Sequence, residues 1–217
     1  DCSEVRSNGF TTSSVYKITI GKNALLEVFC EIDRENGWTV IQRRIDGSTN
    51  FNRKWKDYKQ GFGNLFGEFW LGNENIHLIT RRRKYEMYIE MKDFDNNIWF
   101  ANYGYFQLDS SSNKYKITVR DYKGTSGDSM SYNDQMYFST SDFDNDHDMK
   151  NCASEKKSGW WFQSCSFSNL NGIYHIENNS MMSEMQTPDG ISWYTIFESE
   201  YYSLKNVVMK IKPSNEG

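Results

Sequence analysis

Near the middle of the chain, Asp142-Phe143-Asp144-Asn145-Asp146-His147-Asp148 puts four carboxylates at alternate positions just before Cys152. Hard oxygen donors gathered in one loop suit calcium, which takes about six to eight oxygens, carbonyls and waters included, at about 2.3 to 2.6 Å. A solvated acidic turn is the other reading of the same residues. Crowding favours the cation, because like charges this close repel unless something neutralises part of them. The loop is not an EF-hand. Counted from Asp142, its sixth position is His147 instead of the turn glycine, and its twelfth is Ala153 instead of a bidentate glutamate.

A second constellation follows: Ser158-Gly159-Trp160-Trp161-Phe162, then Cys165, then Ser168-Asn169-Leu170-Asn171-Gly172-Ile173-Tyr174. At least one of the adjacent tryptophans is expected in the core. The other is a candidate floor for a ligand pocket, since an aromatic face beside amides offers a sugar or acetyl group both apolar contact and directed hydrogen bonds. Nothing comparable suggests catalysis. His77, His147 and His175 lack a serine or cysteine partner in a recognisable elbow, no glycine-rich phosphate loop is present, and any carboxylate pair for glycoside hydrolysis would be an arbitrary choice.

The four cysteines, Cys2, Cys30, Cys152 and Cys165, allow three pairings. Local pairing, Cys2 with Cys30 and Cys152 with Cys165, is the natural expectation. In the chain-entropy account each short loop it closes contributes about 3 kcal/mol. A zinc site is the rival reading, but no Cys-x-x-Cys pair and no histidine at ligand spacing accompany it. Two disulfides imply an oxidising compartment. Asn178-Asn179-Ser180 is a glycosylation sequon, in keeping with secretion.

These residues need elements to position them, and alternation supplies strands. Tyr85, Met87, Ile89 and Met91 alternate with polar residues, as do Tyr115, Ile117 and Val119, and Val207, Met209 and Ile211 near the end of the chain. The last of these predicts a return of the C-terminal segment to a sheet built earlier. Short helices are predicted over Asn52 to Gln60, ending at Gly61, and over Asn73 to Arg82, opening on an asparagine cap. The class is therefore α+β with a mostly antiparallel sheet. From about Ser126 to Ile191 patterning fades into Asp, Asn, Ser and Gly, a length that is normally functional or disordered. Here the cysteines, tryptophans and carboxylates argue for function.

Composition narrows the class further. The 217 residues suffice for a real core, and aromatics reach 16%. A net charge of −4, mixed along the length, excludes a nucleic-acid footprint. The one dense basic run, Arg81-Arg82-Arg83-Lys84, reads as the solvated end of a helix. No window approaches the roughly 18 apolar residues of a membrane span, and the first residues lack a signal-peptide core, so any targeting segment is expected to be removed or to lie outside this chain.

Taken in order, Gly37-Trp38-Thr39-Val40-Ile41-Gln42-Arg43-Arg44, Asp46-Gly47-Ser48, Gly67-Glu68-Phe69-Trp70-Leu71-Gly72-Asn73, Gly127-Asp128-Ser129, Asn151-Cys152-Ala153, Gly159-Trp160-Trp161, Asn169-Leu170-Asn171-Gly172 and Tyr202-Ser203-Leu204-Lys205 resemble the fibrinogen-related domain, the globular module of fibrinogen chains, ficolins, tachylectins, tenascins and angiopoietins. The resemblance runs the length of the chain. It implies an N-terminal disulfide subdomain over about 1–45, a central twisted sheet with short helices over about 46–125 plus 200–212, and a loop-rich binding subdomain over about 126–199. It also implies calcium held by the side chains of Asp144 and Asp146 and the backbone carbonyls of Asp148 and Lys150.

For the ligand, the resemblance implies a pocket beside the second disulfide. It would involve Lys156, Trp160, Trp161, Cys165, Ser166, Tyr174, Thr187, Pro188 and Asp189, with a cis Cys165–Ser166 peptide. Three positions depart from the acetyl-binding lectins of the family: Ser166 replaces a histidine, Thr187-Pro188 replaces the tyrosine before Asp189-Gly190, and Lys156 replaces an aromatic residue. Glu155, Lys156 and Ser166 likewise do not reproduce the fibrinogen hole that binds a knob peptide. The expected function is a secreted, calcium-binding, lectin-like domain that recognises glycans or other surface ligands in innate recognition. Its alternative is a protein ligand of a cell-surface receptor or matrix component. Expected partners are a glycan or protein on a cell or microbial surface, without nucleic acid or membrane insertion, and with oligomerisation through a stalk outside this chain.

Overall fold

The structure, a computed structural model, describes residues 1–21, 24–175 and 188–214. Its elements in chain order are α1 (Cys2–Ser7), β1 (Ser14–Ile20), β2 (Ala24–Ile32), β3 (Gly37–Arg44), α2 (Trp55–Gln60), β4 (Phe62–Gly63), β5 (Phe69–Trp70), α3 (Asn73–Thr80), β6 (Tyr85–Lys92), β7 (Ile98–Leu108), β8 (Ile117–Gly124), α4 (Cys152–Glu155), β9 (Ser168–Asn169), β10 (Ser192–Trp193), α5 (Tyr194–Phe197) and β11 (Asn206–Pro213).

Seven strands lie in the order β1-β2-β3-β11-β6-β7-β8, with the β4–β5 hairpin joined to β3. All pairings are antiparallel. The alternation predicted for β6 and β11 holds: Tyr85, Met87, Ile89 and Met91 are buried with Val207, Met209 and Ile211. Each such side chain contributes about 1.5 to 3 kcal/mol of transfer free energy. The C-terminal strand does return, between β3 and β6, so the 1–45 segment and the 200–212 segment hydrogen-bond edge to edge within one sheet.

On the solvent side of that sheet, Lys210 lies over the rings of Trp38 and Tyr88, and Lys212 over Trp38, while their ammonium groups reach Glu31 and Glu86. The lysine stems cover the aromatic surface, and the largely covered ammonium groups are neutralised by the two glutamates.

One irregularity matters for the binding loops. Met209 pairs with Gln42 and Lys210 with Val40, leaving Ile41 as an extra residue on β3. A bulge of this kind re-aims the side chains beyond it. It puts Gln42 and Arg44 on the buried side with Met209 and Val207, under the turn at 169–172. There Gln42 Nε2 donates to the Leu170 carbonyl (2.8 Å) and Asn171 Oδ1 (3.1 Å), and Arg44 Nη1 donates to the carbonyls of Leu170 (3.1 Å) and Gly172 (2.7 Å).

Several local readings change: the helix predicted from Asn52 opens at Trp55, and the strand predicted from Tyr115 opens at Ile117, Tyr115 standing in the turn before it at φ 49°. α3 begins one residue earlier than an asparagine cap requires. Gly72 takes the cap position at φ 102°, and Asn73 is the first helical residue, its Oδ1 accepting from Trp70 Nε1 at 3.1 Å. The basic run does follow this helix and is exposed, but two of its members are structural. Arg82 donates to the Thr19 carbonyl of edge strand β1, and Arg83 reaches Asp1 (2.6 Å) and Glu4 (3.2 Å).

Candidate functional site

The pairing of cysteines is the local one: Cys2–Cys30 ties α1 to β2, and Cys152–Cys165 closes the loop that follows the acidic segment. Within that segment Asn145 is the anchor. Its backbone N–H donates to Ser139 Oγ, and its amide donates to the Phe138 carbonyl at 2.8 Å, which leaves Asp144 and Asp146 on the outer side of the loop.

The four aspartates then separate by role. Asp142 belongs to a helix: its Oδ1 accepts from the Trp55 N–H at 2.9 Å, the first amide of α2, and from Thr140 Oγ1 at 2.8 Å. It satisfies one of the orphan donors of a short helix from across the fold. Asp142→Ala is expected to cost about 1 kcal/mol, as a lost cap does, and to leave any calcium response of the melting temperature unchanged. A calorimetric melt with and without calcium checks both parts.

Asp144, Asp146 and Asp148 form a staircase of Asx turns, each carboxylate accepting the N–H two residues on, at 3.2, 2.9 and 3.0 Å. Asp146 also accepts the Cys152 N–H at 3.0 Å, and Asp148 accepts from Ser164 Oγ at 2.6 Å, so both sides of the disulfide loop are held by this acidic segment. Burial pushes the Asp146 carboxyl up to about 6, aided by the adjacent Asp144 charge and opposed by the two backbone donors. Asp148, half-buried, is held below the ordinary carboxylate range by Ser164 and the Lys150 N–H. Asp148 also stands within 4.8 Å of the sulfurs of Cys152 and Cys165, but those sulfurs are joined to each other and are not thiolate ligands.

The expected pocket residues scatter. Trp160 and Trp161 are both fully buried, which corrects the reading that one of them floors a ligand pocket. Trp161 donates from Nε1 to the Tyr115 carbonyl (2.8 Å), and its ring packs on Trp70 and Phe138. The 158–172 segment is closed on itself through Ser158 to Asn169 and Asn171 to the Gly159 carbonyl, and held to β3 by Gln42 and Arg44, with both tryptophans inside it. Gly172 makes the closest approach: a Cβ there would lie 2.0 Å from the Gly190 carbonyl oxygen.

Ser166 is buried and spends its hydroxyl on Ser168, and the Cys165–Ser166 peptide is trans, since no cis peptide bond occurs among the described residues. Without a histidine to present, nothing here requires the rarer isomer. Lys156 is buried under Glu200, Nζ to Oε2 2.5 Å. Tyr174 faces the sheet, its hydroxyl on the Ile45 carbonyl. Asp189 is buried between His175 Nε2 (3.0 Å) and Lys157 Nζ (2.8 Å). Thr187 and Asn178 lie outside the described residues.

An open groove does exist beside this cluster. Pro188, Tyr194, Glu198, Ser199, Glu200 and Tyr201 line about 350 Å³. Tyr194 is also the end of a three-ring stack: Tyr132 on Phe167 at 4.4 Å and Phe167 on Tyr194 at 4.9 Å, both near parallel at 20°. Apart from Pro188, the sequence reading missed these residues. They sit in segments far apart in the chain, and no local period marks them.

The fold is thus an antiparallel sheet carrying an acidic loop and a tryptophan-rich segment joined by the Cys152–Cys165 disulfide. The family model for the C-terminal globular domain of fibrinogen beta and gamma chains matches residues 1–214, and the chain belongs to that family. It is 45% identical over 230 residues to fibrinogen-like protein 1 of Mus musculus, covering 99% of this chain and 72% of that protein. Among solved structures, the fibrinogen-like globe domain of human ANGPTL2 superposes with a TM-score of 0.93 at 41% identity, covering 99% of this chain and 98% of that one. A lamprey fibrin D-dimer, complexed with the peptide ligand Gly-His-Arg-Pro-amide, gives 0.94 at 38% identity, covering 100% of this chain and 74% of that one.

Proposed function

We propose that this chain is a secreted recognition domain that binds a protein partner, on a cell-surface receptor or in the matrix, and that it acts by binding rather than catalysis. The observation that carries this reading is the fate of the pocket residues. Trp160, Trp161, Lys156 and Ser166 are all buried, and Lys156 is sealed by Glu200 where an acetyl-binding site would need an opening. The open surface beside them is a shallow groove with aromatic and carboxylate walls, a form suited to a peptide segment of a larger partner. Peptide binding by a relative of the same fold points the same way. His77 is held on the Leu108 carbonyl, His175 on Asp189, and the four cysteines are paired, which supports binding over catalysis.

Calcium belongs to this reading as a structural ligand. Asp144 and Asp146 would supply its carboxylates, and Asp148 and Lys150 its backbone carbonyls, a hard-oxygen set of the kind calcium accepts. Bound there, the ion would offset the burial and the neighbouring Asp144 charge that together raise Asp146, and would stiffen the loop holding Cys152. A stalk outside this chain would present several copies and raise avidity.

A glycan array and a panel of receptor ectodomains and matrix proteins, each run with calcium and with chelator, separate the two functions. The expected outcome is no glycan signal and at least one saturable protein interaction. Calcium-dependent glycan binding without any protein partner would overturn the proposal in favour of a lectin.

A further inference from the structure

We infer that β1 is a strand able to pair with its own counterpart on a second copy of this chain, and that Lys17 and Arg82 hold the two copies apart. The inference does not depend on what the domain binds. Its basis is the difference between the two ends of the sheet. At one end β8 is covered: the Ile117 N–H donates to the Met136 carbonyl (3.1 Å), the Ile117 carbonyl accepts from the Gln135 N–H (2.9 Å), and the Val119 N–H donates to Asp134 Oδ1 (2.9 Å). At the other end β1 pairs only with β2, and no backbone group of another segment closes its outer side among the described residues. A long open edge is a template for another strand.

The residues of this edge make it adhesive. Ser14-Val15-Tyr16-Lys17-Ile18-Thr19-Ile20 is rich in β-branched side chains and holds no glycine or proline, a composition that pairs readily with a copy of itself. Ile18 and Ile20 turn into the core, so Val15, Lys17 and Thr19 stand on the outer face of the sheet. The Thr19 carbonyl is taken at 2.9 Å by Nη1 of Arg82, which belongs to no strand. Alternate residues of an antiparallel strand turn their N–H and C=O groups to the same side, so Lys17 and Val15 present theirs to the free edge as well.

Two side chains oppose the pairing. The register that joins all seven residues of two antiparallel copies is centred on Lys17 and sets the two Lys17 side chains directly opposite each other. Like charges so placed destabilise a sheet, and a lysine on an edge strand is one way a sheet avoids edge-to-edge contact. Glu27 stands 3.8 Å from Lys17 on β2, but both groups are mostly exposed, and a pair of that kind does little to cancel the charge. Arg82 occupies the carbonyl that an arriving strand would need at Thr19 and brings a second positive charge to the same edge. An isologous contact repeats each obstacle on both copies. One member of the basic run after α3 thereby gains a role that its exposure alone does not give it.

Sedimentation velocity of the whole chain, from low to high micromolar concentration, tests this on the parent, Lys17→Val, Lys17→Arg, Arg82→Ser and the Lys17→Val/Arg82→Ser double variant. Circular dichroism and a thermal melt check the fold, and hydrogen–deuterium exchange of 14–20 locates the contact. The parent is expected to stay monomeric. Lys17→Val should self-associate, and the double variant about tenfold more tightly again, with exchange at 14–20 slowed in the dimer. Lys17→Arg keeps like charges opposed and should remain monomeric. Should the double variant lose its fold, Lys17→Val decides alone, since valine favours strands and replaces an exposed side chain. A parent that dimerises through 14–20, a Lys17→Val protein as monomeric as the parent, a dimer with unchanged exchange at 14–20, or a Lys17→Arg protein that dimerises as Lys17→Val does overturns the inference.

Discussion

Glu68→Ala is expected to lower the stability of the domain by about 3 to 5 kcal/mol, the range for stripping one partner from a buried ion pair. Glu68 is buried, and its Oε1 accepts the N–H groups of Ile45 (2.8 Å), Asp46 (3.1 Å) and Gly47 (3.0 Å), while Oε2 accepts that of Thr49 (2.9 Å). Arg44, also buried, stands 3.7 Å away with its guanidinium 4.0 Å over the Phe51 ring, and burial lowers its pKa to about 10. Removing the carboxylate orphans four backbone donors and leaves a cation without its counter-charge, in a domain whose whole stability is about 5 to 15 kcal/mol. For a chain of this length the melting temperature should drop by roughly 10 °C or more. Glu68→Gln keeps an acceptor oxygen and should lose less. Arg44→Met with Glu68→Ala should lose less than the sum of the single changes, since the stranded charge is gone. Urea melts of the parent, Glu68→Ala, Glu68→Gln, Arg44→Met and the double variant measure this, and a Glu68→Ala protein as stable as the parent would refute the role of the pair. The functional consequence follows from Arg44, which holds the carbonyls of Leu170 and Gly172 and so fixes the turn beside the second disulfide.

Asp146→Ala should abolish the stabilisation that calcium confers. In the parent, calcium at about a hundred times its dissociation constant adds about 2.7 kcal/mol, or roughly 5 to 10 °C in melting temperature. The pH dependence has a definite sign. The folded carboxyl of Asp146 titrates at about 6, above its ordinary 3.8. Without metal, its contribution to stability is therefore greatest below the unfolded value and is lost as pH rises through 6. Calcium requires the ionised form, so its apparent affinity should be level above pH 6 and fall about tenfold per unit below it for one displaced proton. Melts at pH 5 and 7.5, with calcium and with chelator, show whether the calcium effect is largest at the higher pH. A chelated parent that melts with the calcium-loaded one at pH 7.5, or an Asp146→Ala protein that still responds, would remove calcium from the account.

Much of this domain is legible from local pattern. Tyr85 to Met91 and Val207 to Ile211 declare their strands because burial on one face repeats every second residue whatever lies across from them. Cys152 and Cys165 declare their loop because they stand only thirteen positions apart, and the crowding of Asp144 and Asp146 is visible without coordinates. Residues whose meaning depends on a distant partner read differently. Asp142 looked like a fourth member of the acidic set until Trp55, 87 residues earlier, proved to be its partner.

The sequence by itself determined strands β6, β8 and β11, the disulfide frame, the acidic loop and the family, because each rests on residue type and near spacing. Tertiary structure alone decided that both tryptophans turn inward, that Lys156 is closed off by a glutamate 44 residues away, and that Tyr132, Phe167 and Tyr194 meet as one stack. The physical reason is that exposure belongs to a position in the packed chain, not to a residue. The bulge at Ile41 and the return of β11 beside β3 settle which surface the 158–172 loop covers, and with it what remains open for a partner.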